Sequence, residues 1–229
     1  MSVKSWNESL PRYLDHTVLR PEATKADVLR LCAEAREQGF VVIFVPPCYV
    51  DEAVAAVAGT NVQVGIPIGF PLGGHSTHAK VTEAMEAVAH GARVLDMVIN
   101  ISRLKSGDYD VVRNDMAAVV QATPGVNHKV ILETCLLTRE EKITACRLAV
   151  EAGMDYVKTS TGFNQAGATV EDVRLMKEAV AGRAKVKASG GIRDWKTTRE
   201  LLEPGADRIG TSASLKILSE LRAPLVAVR

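Results

Sequence analysis

Four stretches of this chain repeat one plan, in which a helical segment stops at a glycine and an apolar strand begins a residue or two later. They are Gln38-Gly-Phe-Val-Val-Ile-Phe44, His90-Gly-Ala-Arg-Val-Leu-Asp96, Ala152-Gly-Met-Asp-Tyr-Val-Lys158 and Pro204-Gly-Ala-Asp-Arg-Ile-Gly210. Glycine there supplies the left-handed residue that ends a helix. Further apolar runs at 62–68, 130–133 and 186–188, with a weaker first strand at 14–19, bring the expected number of strands to eight. The segments between them carry a 3.6-residue period and read as helices over 24–38, 49–58, 77–90, 109–121, 138–152, 169–181, 194–202 and 212–221. Thr138-Arg-Glu-Glu141 and Thr169-Val-Glu-Asp172 place a threonine three residues before an acid, as a capping box does.

Strict alternation of strand and helix requires a parallel sheet. An open doubly wound sheet and a closed barrel both satisfy it. Eight regular units without a G-x-G-x-x-G turn favour the α/β class in its TIM (β/α)8 form, with residues 1–229 as one domain. Side chains alternate along a strand, so in Val94-Leu-Asp-Met-Val-Ile-Asn100 the residues Leu95, Met97 and Ile99 are expected against the helices. Val94, Asp96, Val98 and Asn100 then share the opposite face, and the same parity turns Lys158 and Lys187 inward.

The bulk properties exclude several partners. Twenty-eight basic and 27 acidic residues leave a formal charge of +1, so no global field recruits nucleic acid or an anionic membrane. The opening MSVKSWNESLPRYL has no apolar signal core, and no apolar run reaches bilayer-spanning length, so no membrane partner and a cytoplasmic location are expected. Cys32, Cys48, Cys135 and Cys146 show no C-x-x-C spacing and read as reduced thiols. His75 and His78 form an H-x-x-H without further ligands, so they read as helix-start residues and no metal or cofactor is expected. Apolar helix faces on a compact barrel suggest a homodimer.

Lysine is rare inside strands, and here Lys158, Lys187 and the carboxylate of Asp96 sit in the later halves of three of them. Burial and a second nearby cation both disfavour the ammonium form. A neutral interior amine adds to an aldehyde or ketone, loses water and becomes a protonated imine, an electron sink that permits carbon–carbon bond cleavage. Asp96 can then move protons through a water with Lys187 as its ammonium partner. An interior salt bridge filling a polar layer is the competing reading, and spacing does not say which lysine is the nucleophile. Three turns, Thr159-Ser-Thr-Gly162, Ser189-Gly-Gly-Ile-Arg193 and Gly210-Thr-Ser212, each follow a late strand. Their backbone N–H groups, Arg193 and a helix starting at Ser212 suit a phosphate dianion. Glu133 lies at another strand end, where it is expected to pair with a lysine.

Taken in order, several segments resemble the deoxyribose-phosphate aldolase family of class I aldolases. They are Leu14-Asp-His-Thr-Val-Leu-Arg-Pro21, Ile68-Gly-Phe-Pro-Leu-Gly73, Leu95-Asp-Met-Val-Ile-Asn-Ile101, Leu104-Lys-Ser-Gly-Asp-Tyr109, Val130-Ile-Leu-Glu-Thr-Cys-Leu-Leu137, Val157-Lys-Thr-Ser-Thr-Gly-Phe163 and Val186-Lys-Ala-Ser-Gly-Gly-Ile-Arg193. The resemblance implies a TIM barrel with Lys158 forming the imine, Lys187 depressing its pKa and Asp96 shuttling protons. It implies substrate contacts from Asp15, Thr17, Thr159, Gly162, Gly190, Gly191, Arg193, Gly210 and Ser212, with a sugar phosphate and aldehydes as small-molecule partners. The implied reaction is reversible cleavage of 2-deoxyribose 5-phosphate into acetaldehyde and glyceraldehyde 3-phosphate, in deoxynucleoside breakdown. A Schiff-base aldolase of altered range and a non-catalytic sugar-phosphate-binding barrel are the alternatives. Phe44-Val-Pro-Pro47, Phe163 and the tail Val226-Ala-Val-Arg229 depart from patterns common in that family, and the first of these is expected to reshape the pocket edge.

Overall fold

In the computed structural model, which describes Trp6 and residues 9–223, eight parallel strands close into a barrel in sequence order. The strands are β1 (Leu14–Thr17), β2 (Val42–Phe44), β3 (Gln63–Ile68), β4 (Val94–Val98), β5 (Asn127–Ile131), β6 (Tyr156–Lys158), β7 (Lys185–Ser189) and β8 (Arg208–Thr211). Closure pairs Leu14 with Ile209 and Asp15 with Gly210. The α-helices are α1 (Lys25–Gln38), α2 (Val50–Ala56), α3 (Thr77–Ala89), α4 (Ile101–Lys105), α5 (Tyr109–Ala122), α6 (Arg139–Glu151), α7 (Val170–Val180), α8 (Trp195–Leu202) and α9 (Ser214–Arg222). This is the TIM (β/α)8 architecture expected from the alternation. The tail Val226-Ala-Val-Arg229 lies outside the described residues.

Local chemistry explains the boundaries. Gly39, Gly91, Gly153 and Gly205 all take positive φ, at 77°, 104°, 85° and 119°, where a Cβ would be strained. At the other ends, Thr24 with Asp27 and Thr138 with Glu141 form complete capping boxes, while Thr169 accepts from the Asp172 N–H. The fifth strand and one extra helix differ from expectation. The strand expected over 130–133 begins at Asn127 and ends at Ile131, because pairing with β4 from Val94↔Asn127 to Val98↔Ile131 outweighs the polarity of Asn127-His-Lys129. His128 is satisfied there by the Thr123 hydroxyl, 2.8 Å from Nε2. The short α4 was not foreseen; Asn100 caps it by accepting the Arg103 N–H at 3.2 Å.

Two shells result. Leu95, Met97 and Ile99 join the large apolar core between sheet and helices, whereas Val42, Phe44 and Val94 form a separate small cluster inside the barrel. The inward and outward parity of β4 is therefore as the alternation predicts. Phe44 sits within the barrel as a floor beneath the polar residues, not at the pocket edge. Its ring occupies the space that Gly65 leaves: a Cβ on Gly65 would stand 2.7 Å from Phe44 Cζ. Overpacking of this kind costs roughly 1–3 kcal/mol. Gly65→Ala is expected to destabilise by about that amount, read as a lower urea midpoint with an unchanged slope.

Candidate active site

The barrel brings Asp96, Lys158 and Lys187 together. Adjacent strands place Lys158 beside Lys187, and all three side chains project into the interior. Lys158 Nζ donates to Asp96 Oδ2 at 2.8 Å and Lys187 Nζ donates to the same oxygen at 2.7 Å. Lys187 also lies 2.6 Å from Asp15 Oδ2, and Asp15 in turn accepts from the Arg208 guanidinium. Lys129 Nζ stands 3.5 Å from Asp96 Oδ1. Below them the Phe44 ring lies 3.9 Å from Lys187 Nζ and 5.6 Å from Lys158 Nζ, at cation–π range. Gly210 makes room for Lys187, whose Cε would be 2.9 Å from a Cβ at that position.

Lys129, Lys158, Lys187 and Arg208 thus face two carboxylates, Asp15 and Asp96. Burial is the largest influence on Lys158. With the neighbouring Lys187 charge it outweighs the attraction of Asp96 and brings the amine down to about 8. Burial likewise lowers Lys129 to about 8, against the pull of Asp96 and Asp15. For Asp96, burial pushes upward, but Lys158, Lys187 and Lys129 together hold it below the usual carboxylate range. Asp15 behaves the same way under Lys187, Arg208 and Lys129. At a value near 8, about one Lys158 in ten is neutral at neutral pH, a few hundredfold more than for an ordinary lysine.

Above this cluster opens a cavity of about 680 Å³. Of the three interior lysines, Lys158 lines it and Lys129 and Lys187 do not. Thr17, Gly162, Gly190, Gly191, Arg193, Gly210 and Ser212 line it as well. Gly190, at φ 87°, packs against Gly167 so closely that a Cβ would meet Gly167 Cα at 2.9 Å, which permits the loops after β6 and β7 to meet. Helix α9 starts two residues later than expected, because the Thr211 hydroxyl accepts the Ala213 N–H at 2.9 Å and keeps Ser212 in the turn. The cap residue Ala213 offers no side-chain acceptor, so the first-turn N–H groups are left for an anion.

Asp15 and Thr159, both expected to contact substrate, are fully buried and do not line the cavity. Asp15 holds Lys187 from beneath. The Thr159 hydroxyl donates to the Ser189 carbonyl and accepts the Ser189 N–H, each at 3.0 Å, stapling β6 to β7. Among the described residues Glu133 takes no lysine: it accepts the Thr161 hydroxyl and, at 3.2 Å, the Thr161 N–H. Lys129 and Arg208 were missed by sequence reasoning. Counting parity from a strand that starts at Asn127 finds Lys129 inward, but the apolar run that marked β5 starts one residue after it.

Removing the carboxylate that three buried lysines share leaves them under-compensated. Asp96→Asn is expected to cost about 3–5 kcal/mol of stability, measured by urea unfolding, in addition to its effect on activity.

Residues 11–217 match a family described as DeoC/LacD family aldolase. The deoxyribose-phosphate aldolase of Brevibacillus brevis is 50% identical over 211 residues, covering 92% of this chain and 96% of that protein. That of a Thermoanaerobacter species is 51% identical over 215 residues, covering 93% and 96%. The tetrameric deoxyribose phosphate aldolase of Aeropyrum pernix superposes with a TM-score of 0.89 at 32% identity, covering 95% of this chain and 92% of that one. On a match that spans most of the barrel, the chain belongs to the DeoC/LacD aldolase family.

Proposed function

We propose that this barrel is a class I aldolase that reversibly cleaves 2-deoxy-D-ribose 5-phosphate to acetaldehyde and D-glyceraldehyde 3-phosphate through an imine on Lys158. The observation that carries the reading is that Lys158 alone of the interior lysines opens into the cavity while its amine is brought down to about 8. The neutral amine adds to the C1 aldehyde of the open-chain sugar, and loss of water leaves a cationic imine. Asp96, kept ionised by its neighbours, accepts the C3 hydroxyl proton through a water. The C2–C3 bond breaks, its electron pair passes into the imine as an enamine, and glyceraldehyde 3-phosphate departs. Proton return to C2, with Lys187 as the ammonium partner of Asp96, and hydrolysis then release acetaldehyde and the free amine.

The phosphate is assigned to the rim formed by Gly162, Gly190, Gly191, Gly210 and Ser212, with Arg193 supplying charge. Its supports are the exposed Arg193 and Ser212 and the first turn of α9. Thr17, which lines the same cavity, is our reading of a contact to the sugar. Relatives named deoxyribose-phosphate aldolase at about half identity favour this substrate over an altered range. Among the described residues no helix is long and apolar enough to cross a membrane, and a cytoplasmic enzyme fits the breakdown reaction. A homodimer of a single-domain barrel is our reading of the assembly.

Incubation with acetaldehyde and borohydride is expected to leave a reduced two-carbon adduct on Lys158, seen by intact mass and peptide mapping. Lys158→Ala should lose the adduct and at least a thousandfold in cleavage rate, on the order of what a covalent route contributes; full activity in that variant would exclude the mechanism. The pH dependence has a definite sign. The amine is the reactive form and titrates near 8, so kcat/KM should fall about tenfold per unit below that value and level off above it. A flat profile through the neutral range would count against Lys158 as the nucleophile.

A further inference from the structure

A second amine sits beside the reacting group without touching the cavity. Lys129, at the centre of β5, is 1% exposed, and its Nζ has no hydrogen-bond partner among the described residues. The fully buried Lys80 shows the usual arrangement: its ammonium donates to Asp115 at 2.6 Å and to the Val98 carbonyl at 3.0 Å. By contrast, Lys129 has the Phe44 and Tyr156 rings at 5.4 and 5.3 Å and Asp96 Oδ1 at 3.5 Å. That oxygen is itself without a hydrogen bond among the described residues, while Oδ2 serves both Lys158 and Lys187.

A buried ammonium without a hydrogen-bond partner weakens a fold. Methionine would fit a cage of two aromatic rings with less desolvation cost. Packing therefore gives no reason for a lysine here, whereas its position does. We propose that Lys129 is a positioning residue for the Lys158 amine, opposing a second positive charge there and drawing Asp96 towards its own side so that the carboxylate holds the Lys158 ammonium less tightly.

The charged and titratable groups around Lys129 come from five strands. They are Asp15 on β1, Asp96 on β4, Tyr156 and Lys158 on β6, Lys187 on β7 and Arg208 on β8, with the Phe44 ring on β2. Removing Lys129 takes one cation from this set and leaves both carboxylates, so the ammonium form of Lys158 gains. The midpoint for amine formation at Lys158 then rises, by about half to one unit for a like charge held on the same carboxylate.

The inference rests on Lys158 being the imine-forming group, and one experiment separates the two. The full-length protein, Lys129→Met and Lys129→Arg are each treated with acetaldehyde and borohydride across the neutral to alkaline range, and the initial rate of adduct formation is mapped by residue. The wild type should label Lys158. In Lys129→Met the same residue should label about three- to tenfold more slowly at neutral pH, with the rate regained in alkali and the midpoint raised by about half to one unit. Lys129→Arg, which keeps the charge, should hold the wild-type midpoint. Urea unfolding of Lys129→Met should show equal or greater stability. Wild-type label on another lysine overturns both readings. Label on Lys158 with an unmoved midpoint in the methionine variant, or a midpoint in Lys129→Arg that follows Lys129→Met, overturns only this one. So does a methionine variant that is less stable or does not fold, because Lys129 would then be part of a structural ion pair.

Discussion

The carboxylate of Asp96 is the point on which the rest of the interior depends. It is fully buried, it meets Lys158 and Lys187 through one oxygen, and it faces Lys129 with the other. Without it the barrel would enclose several cations against the single carboxylate of Asp15, an arrangement that desolvation would drive apart or neutralise. With it the lysines stay close yet under-compensated, which is the condition for an amine to lose its proton near neutral pH. Charge balance and reactivity are set by the same group.

The fold separates the tasks that this arrangement imposes. The outward faces of the strands, such as Leu95, Met97 and Ile99, supply the apolar contact with the helices that stabilises the barrel. That leaves the inward faces free to carry charges whose net effect on stability is unfavourable. Phe44 and the two small glycines Gly65 and Gly210 complete the interior: the ring needs the space over Gly65, and the Lys187 side chain needs the space over Gly210. An aromatic floor offers the ammonium groups a cation–π face, which holds the charged form less strongly than a further carboxylate there would. Cavity and cluster then meet at Lys158, where a solvent-reachable amine tops a column of buried charge ending at Arg208.

Much of this was legible in the residues themselves. The glycine stops and the capping threonines announced helices and strands in alternation, since each acts within a few residues of its own position. Asp96, Lys158 and Lys187 stood out because strand interiors disfavour charge, and period-two parity gave their direction. Lys129 was hidden in Asn127-His-Lys, which looks like a polar loop until the pairing with β4 draws it into the sheet. The resemblance to the family implied substrate contacts from Asp15 and Thr159. Within the chain these two residues contact Lys187 and Ser189, and Lys187 is far from Asp15 in sequence.

The sequence by itself determined the alternation of elements, the closed eight-stranded fold, the family and the inward direction of three reactive groups, because all of these follow from short-range pattern or from ordered motifs. Only the tertiary structure decided which lysine meets the cavity, which carboxylate supports which cation, and that a third lysine stands 3.5 Å from Asp96 without a hydrogen bond among the described residues. Those outcomes depend on register between strands distant in the chain and on the depth of each side chain in the barrel, and electrostatic strength varies with both separation and burial.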